Sequence, residues 1–278
     1  MIIDGKTIAE NIKENVRKEV AALQRSGVNP SLSVIVVGND PASEVYVRNK
    51  ARASEKVGII SNTYKLPENA STKDVVELVE ALNADEKVHG ILVQLPLPDG
   101  IDEEKVISSV SPEKDVDGFS VFSSGNLYLN KKSGFLPCTA AGIIDLIKST
   151  GVDICGKNAV VIGRSDIVGK PVAMLLLREN ATVTICHSKT KNISDFTKNA
   201  DILVAAVGRK HFVTADMVKE GAIVIDVGIN RVDGKLYGDV DFDNVSEKAS
   251  FITPVPGGVG PMTIAKLLEN TVLAVKER

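Results

Sequence analysis

The chain has 278 residues, enough for two domains by the usual size prior, and its 44% apolar and 25% charged content can fill ordinary globular cores. Its 33 basic and 36 acidic residues give a formal charge of -3 with no basic block, so nucleic acid is not an expected partner. No run has the length of a membrane span, the opening MIIDGKTIAENIKENV lacks the features of a secretion signal, and Cys138, Cys155 and Cys186 lack paired spacing; a cytoplasmic protein with reduced thiols, no disulfide framework and no structural zinc is expected.

In chain order, Ile8, Ile12, Val16, Val20 and Leu23 recur at helical spacing and Ser26-Gly27 closes the segment, which predicts an amphipathic first helix. SVIVVG, residues 33–38, is a short β-branched run of the kind buried in a parallel sheet. Asn39-Asp40-Pro41 then supplies a cap and a first-turn proline for a helix reaching about Gly58. A helix around TKDVVELVEALN precedes a second apolar strand, HGILVQLPLP, which stops at its prolines. The alternation predicts parallel βαβ units.

On the helix after the first strand, Tyr46 and Lys50 stand four residues apart, so both project from one face at the carboxyl end of the sheet. A tyrosine-lysine pair at this spacing also marks short-chain dehydrogenases, but there it follows the cofactor loop within one domain, and here it precedes the candidate loop. Taken alone, an exposed lysine beside a half-buried tyrosine explains the pair as well. Gln94 places an amide at a strand end, where it can hold a lysine amine in position.

Residues 108–139 are rich in Ser, Gly, Asp and Pro and lack periodicity, which predicts long loops and a boundary between lobes. Within them KDVDGF offers Asp115 and Asp117. A carboxylate can pair with adjacent ring N–H and amino donors of a pterin-like ring, although Asp-Gly is equally a common turn. Beyond lie four strand-like runs, NAVVIG, ATVTICH, DILVAAVG and AIVIDVGIN, with the rhythm of a doubly wound nucleotide-binding sheet. In VVIGRSDIVGKP, residues 160–171, a strand runs through Gly163 into Arg164 and Ser165, and Gly169 opens a helix whose amides and dipole suit a phosphate. The segment is neither a P-loop, since Pro171 lacks the magnesium-binding hydroxyl and the spacing is one residue too long, nor a G-x-G-x-x-G fingerprint.

The second strand of this sheet ends in His187, Ser188 and Lys189, about 25 residues after Gly163, where an acid would contact the ribose of NAD. No acid stands there, and Arg164 adds a phosphate-pairing guanidinium, so the chemistry favours NADP; solvated surface charges are the plain alternative. TPVPGGVGPMT, residues 253–263, is a rigid loop of small residues that lets a flat ligand approach the backbone. The last helix, TIAKLLENTVLAVK, is amphipathic and is expected to pack back onto the first lobe. His89, His187 and His211 have no metal-gathering spacing, and no G-x-S-x-G elbow is present.

Through SEVYVRNK, HGILVQLPLP, SPEKDVDGF, GRSDIVGKP, ATVTICHSKT, DVGIN, GDVDF and TPVPGGVGPMT in order, the sequence resembles the bifunctional methylenetetrahydrofolate dehydrogenase/cyclohydrolases over nearly its whole length. The resemblance implies a two-lobed α/β fold: a folate-binding catalytic domain over residues 1–118 plus the C-terminal helix 262–278, and a Rossmann-like NADP domain with a mostly parallel sheet over 119–261. It also implies an active cleft between them, a homodimer and a place in one-carbon metabolism. Carried over by position, Lys50 is the catalytic lysine, Gln94 supports it, Tyr46 lies against the folate, and Asp117 anchors the pterin. Pro256, Gly257 and Gly258 match substrate-binding positions; Thr139, Gly163, Arg164, Ser165, Ser188 and Ile229 match cofactor-contacting ones, and no metal is implied. The sequence departs from the family at Ser120, usually histidine, at Ser123, often asparagine, and at Ala140 and Lys210, where proline is common. A monofunctional NAD(P)-dependent dehydrogenase and a non-catalytic NADP-responsive binding protein are the alternatives. An ATP-dependent formyltetrahydrofolate synthetase activity is not expected.

Overall fold

The computed structural model describes residues 1–277. The chain forms two compact units, one of Asn11–Cys138 with Ile264–Arg278 and one of Met1–Glu10 with Thr139–Thr263.

Helix α1 (Gly5–Arg25) opens with the Asp4 carboxylate accepting the Lys6 and Thr7 N–H groups, which satisfies two of the donors a helix start leaves free. Strand β1 (Ser31–Val37) is buried at every residue, as the central strand of a parallel sheet must be. Helix α2 (Pro41–Val57) starts with Asp40 accepting from the Ser43 N–H and Pro41 in the first turn, and stops at Gly58 in the left-handed conformation. Strand β2 (Ile60–Leu66), helix α3 (Thr72–Ala84) with its Ser71/Asp74 capping box, strand β3 (Gly90–Val93), helix α4 (Glu103–Ser109) and helix α5 (Val121–Tyr128) follow. The sheet order is β2-β1-β3, all parallel. The sequence reading passes over β2 because ISNTYKL is an edge strand of alternating exposure with no apolar run. It also passes over α5, because VFSSGNLY leaves Val121, Phe122 and Tyr128 exposed and shows no inward stripe.

The second unit begins within helix α6 (Cys138–Lys148). Strand β4 (Asn158–Ile162), helix α7 (Gly169–Arg178), strand β5 (Thr182–Cys186), helix α8 (Ile193–Thr197), strand β6 (Ile202–Ala205) and strand β7 (Ile223–Asp226) come next. A hairpin of β8 (Asn230–Val232) and β9 (Lys235–Tyr237) turns at Asp233-Gly234, both at positive φ, and helix α9 (Phe242–Ser246), strand β10 (Phe251–Ile252) and helix α10 (Val259–Lys276) complete the order. The main sheet runs β10-β7-β6-β4-β5, all parallel, and β6 and β7 are wholly buried.

These units move the domain boundaries read from the sequence. Residues 1–10 join the unit of β4–β10, because Ile3 donates to the Ile252 carbonyl at 2.8 Å and Ile252 donates to that of Met1 at 3.0 Å. Residues 119–138 stay with the unit of β1–β3, where Phe135 and Cys138 enter the core beside Val16, Val20, Leu32, Val34 and Leu92. Leu267, Leu268, Val272 and Ala274 of α10 join that same core, and residue 278 lies outside the described residues. No helix among the described residues is long and apolar enough to cross a membrane.

Candidate active site

In a parallel sheet whose chain order reverses at one strand, the carboxyl ends flanking that strand leave a crevice. In the first unit the reversal is at β1. Helix α2 leaves from its end carrying Tyr46 and Lys50, and Gln94 is the first residue beyond the neighbouring β3, its N–H still bonded to the Ile35 carbonyl at 2.9 Å. The Lys50 amine donates to Gln94 Oε1 at 3.0 Å, while Gln94 Nε2 donates to the Leu95 carbonyl at 2.7 Å. That second bond fixes which end of the amide faces the lysine. Lys50 is only 8% exposed, and Tyr46, one turn earlier, is half-buried. Burial pushes the Lys50 pKa down, because the charged ammonium loses its hydration, and the nearby Asp117 carboxylate and Cys138 thiol oppose that shift.

The two aspartates of KDVDGF divide their work. Asp115 accepts from the N–H groups of Gly118, Phe119 and Ser120 at 3.2, 3.0 and 2.9 Å and from the Ser123 hydroxyl at 2.8 Å, so it holds the turn together. Asp117 is half-buried, with its pKa raised by burial and drawn back down by Lys50. Gly118 sits at φ +77, and a Cβ there would lie 2.7 Å from the Leu136 and Pro137 backbone, which presses the two segments together. The buried Lys114 amine donates to the carbonyls of Leu82, Asn83 and Asp85 at 2.8, 2.7 and 2.8 Å, placing a cation at the carboxyl end of α3. The family departures Ser120 and Ser123 belong to the same turn: the Ser120 hydroxyl caps α5 by accepting the Ser123 N–H at 3.1 Å.

In the second unit the chain order reverses at β4. Gly163 follows it at φ +125, where a Cβ would collide with the Ala206 carbonyl beyond β6, and a Cβ on Gly169 would collide with the Gly163 carbonyl. The two glycines thus let the end of β4, the Ala206 segment and the start of α7 pack closely at the switch point, the place where this type of sheet takes a dinucleotide. Ser165 Oγ accepts the Val168 and Gly169 N–H groups at 3.3 Å each, so this hydroxyl satisfies amides at the start of α7. Arg164 and Ser188 are exposed at the ends of adjacent strands, Thr139 shares a 3.1 Å hydroxyl contact with Thr263, and Ile229 is 46% exposed just past β7. A glycine turn at the start of α7, an uncovered guanidinium and an uncovered apolar side chain together fit a phosphate-bearing dinucleotide. Pro256 is exposed, and Gly257 and Gly258 are buried, in the turn before α10. The departures Ala140 and Lys210 lie in α6, fully buried, and above the Tyr237 ring at 3.4 Å.

Sequence reasoning missed the carboxylates that shape the turn bearing Ile229. Asp226 accepts from the N–H groups of Gly228, Asp239 and Val240, and Asp239 accepts from those of Val207, Gly208 and Arg209 and from the Asn230 amide. The only sequence signal was their recurrence in DVGIN and GDVDF. His89 and His187 each accept a backbone N–H through Nδ1.

Two family descriptions match the chain: the tetrahydrofolate dehydrogenase/cyclohydrolase catalytic domain over residues 3–117 and its NAD(P)-binding domain over residues 137–278. A bifunctional FolD protein of Agathobacter rectalis is 58% identical over 276 residues, 99% of each chain. The crystal structure of the bifunctional FolD dehydrogenase/cyclohydrolase of Campylobacter jejuni superposes with a TM-score of 0.98 at 51% identity, covering 100% of this chain and 99% of that one. The Trypanosoma brucei enzyme, solved with NADP and an inhibitor, gives 0.96 at 42% identity over 100% and 97% of the chains. With both sheets, their glycine-lined strand ends and the buried lysine in place, the chain belongs to the tetrahydrofolate dehydrogenase/cyclohydrolase family.

Proposed function

We propose that NADP is the cofactor, that Lys50 is the base of the hydrolytic half-reaction, and that Tyr46, Gln94 and Asp117 bind and orient the folate beside it. The enzyme is bifunctional in one-carbon folate metabolism: it oxidises 5,10-methylenetetrahydrofolate to 5,10-methenyltetrahydrofolate and hydrolyses that product to 10-formyltetrahydrofolate. The observation that carries the residue assignment is the buried Lys50 amine, held by Gln94 and facing the field of Asp117. Gly163, Arg164, Ser165, Ser188, Ile229 and Thr139 hold the cofactor, and Pro256, Gly257 and Gly258 line the folate. The exposed Arg164 and Ser188, with no acid at the end of β5, support the phosphorylated cofactor over NAD. Family resemblance supports assembly as a homodimer in the cytoplasm.

A bound nicotinamide supplies the hydride acceptor. Oxidation of the methylene bridge releases no proton from the reacting carbon, so this chain has only to align the folate, which Asp117 and Tyr46 do by gripping its ring. Hydrolysis differs. Water must lose a proton as it attacks the methenyl carbon, the ring nitrogen must gain one as its bond to that carbon breaks, and the new hydroxyl gives its proton to solvent as the formyl C=O forms. Burial disfavours the Lys50 ammonium and so favours the free amine that takes the first proton at Nζ and, once protonated, returns it, with Gln94 holding the amine on line.

Lys50→Met should lower cyclohydrolase turnover at least about a hundredfold, the usual contribution of a positioned base, while the dehydrogenase loses markedly less. Reduced cofactor and methenyl absorbance are followed separately with methylenetetrahydrofolate and NADP or NAD. Equal loss of both activities in a folded variant overturns the assignment.

A further inference from the structure

Asn270 is a polar residue in the apolar part of α10. It is 7% exposed among the buried Leu267, Leu268, Val272 and Ala274, and its neighbour Thr271 only returns a hydroxyl to the Leu267 carbonyl within the helix. An amide so placed is costly to bury unless its hydrogens are used. They are used: Nδ2 donates to the Val116 carbonyl at 2.9 Å and the Leu136 carbonyl at 3.1 Å, and it lies 3.5 Å from Cys138 Sγ. Val116 immediately precedes Asp117, and Leu136 stands two residues before Cys138. The same two segments touch through the Cys138 N–H to the Asp117 carbonyl, at a long 3.4 Å, and the Cys138 thiol to the Val116 carbonyl at 3.3 Å. Asn270 is therefore the side chain that ties both to a helix.

We infer that Asn270 is a positioning residue for folate binding, a clamp that holds the Asp117 carboxylate in place beside Lys50 by fastening Val116 and Leu136 to α10. The inference rests on Asp117 being the pterin anchor. Asn270 touches no substrate; it acts through the backbone that carries Asp117. A leucine at 270 fills the volume but removes the amide donor from both carbonyls, leaving the Val116 carbonyl only the weak Cys138 thiol and the Leu136 carbonyl without its bond to α10. An aspartate presents oxygens to them while ionised, and supplies one donor once protonated. Burial against acceptors raises the pKa of such a carboxyl, so donation returns as the pH falls.

The test compares Asn270→Leu, Asn270→Asp and Asp117→Asn with the parent enzyme by folate KM, NADP KM, kcat and thermal midpoint. Asn270→Leu should raise folate KM about tenfold, the expected effect of an unmet buried hydrogen bond, and leave NADP KM within about twofold. Asn270→Asp should show the same defect at pH 8 and recover toward the parent, measured at each pH, on going to pH 6, whereas Asn270→Leu should not. A lowered midpoint with unchanged folate KM, parallel drift of both KM values, or no recovery of Asn270→Asp overturns the inference. If Asn270→Leu fails to fold, the pH response of Asn270→Asp decides alone. If Asp117→Asn raises folate KM while neither Asn270 variant does, only the clamp fails. If Asp117→Asn leaves folate KM unchanged, the anchor reading fails and the clamp with it.

Discussion

Lys50 and Asp117 are neighbours of opposite charge that burial pushes, each separately, toward neutrality, while their mutual attraction pushes back. At both groups burial is the larger effect, so the charged forms are disfavoured despite the attraction. On the cofactor side the residue on which the NADP proposal leans is uncovered: Arg164 stands exposed, next in sequence to Gly163. Arg164→Ala should therefore raise NADP KM about tenfold or more, the scale of one charge-assisted phosphate contact, and move NAD KM far less. Steady-state titration of both cofactors checks this, and an equal rise for the two would remove Arg164 from the specificity argument. Much of the site was legible at this scale. Tyr46 and Lys50 share a helix face at a spacing visible in the sequence, and an amide at the end of an apolar strand was conspicuous. By residue chemistry alone Asp115 and Asp117 could not be told apart, and only the family resemblance singled out Asp117, because two aspartates two positions apart in one loop differ only in which backbone N–H groups the turn brings to them. Cys138 and Asn270 were invisible as site neighbours, since the Asn270 contact with Val116 spans 154 positions.

At the scale of elements, the chain on either side of the β8–β9 hairpin is held by carboxylates. Asp226 is nearly buried, and burial raises its pKa from the ordinary 3.8 to about 6 despite three backbone donors. For a carboxyl raised on folding, the native state binds more protons than the unfolded chain between those two values. Its contribution to stability is full below about 3.8 and is lost as the pH rises through about 6. Asp226→Asn removes the titration and turns an N–H₂ toward backbone donors, so the variant should be less stable. The parent's advantage should also be larger at pH 5 than at pH 7, by about 1 kcal/mol. Denaturant unfolding at the two pH values measures it, and a gap that does not change with pH refutes the assignment to Asp226. The buried strands β1, β3, β4, β6 and β7 were legible because β-branched runs of that length have few other homes. Strand β2 was not, because an edge strand needs no apolar run; nor was the β8–β9 hairpin, whose short, polar strands and Asp-Gly turn run on from the last residue of AIVIDVGIN.

At the scale of the whole molecule, α10 starts in one unit and ends in the other. Its Leu267 and Leu268 are 1% and 0% exposed, and burying one leucine is worth roughly 1.5–3 kcal/mol, so with Val272, Ala274 and the Asn270 bonds the segment supplies a large part of a domain's margin. Removing residues 264–278 should therefore unfold the unit of β1–β3. Limited proteolysis should then cut within residues 11–138 while 139–263 resist, and protection of both would contradict this. The return of the last helix was legible from its amphipathic pattern. The membership of the first ten residues was not, because it depends on Ile3 meeting Ile252 across the chain. The interleaving also sets an order of events on the ribosome. Domains commonly fold from the N-terminus as they emerge. Here the unit that supplies most of the first half of the chain lacks its last core helix until residues 264–277 have emerged, whereas the other has all its residues once Thr263 is out. The unit that is translated first is therefore the one finished last, and Lys50 stays in an incomplete core until residues 264–277 have emerged.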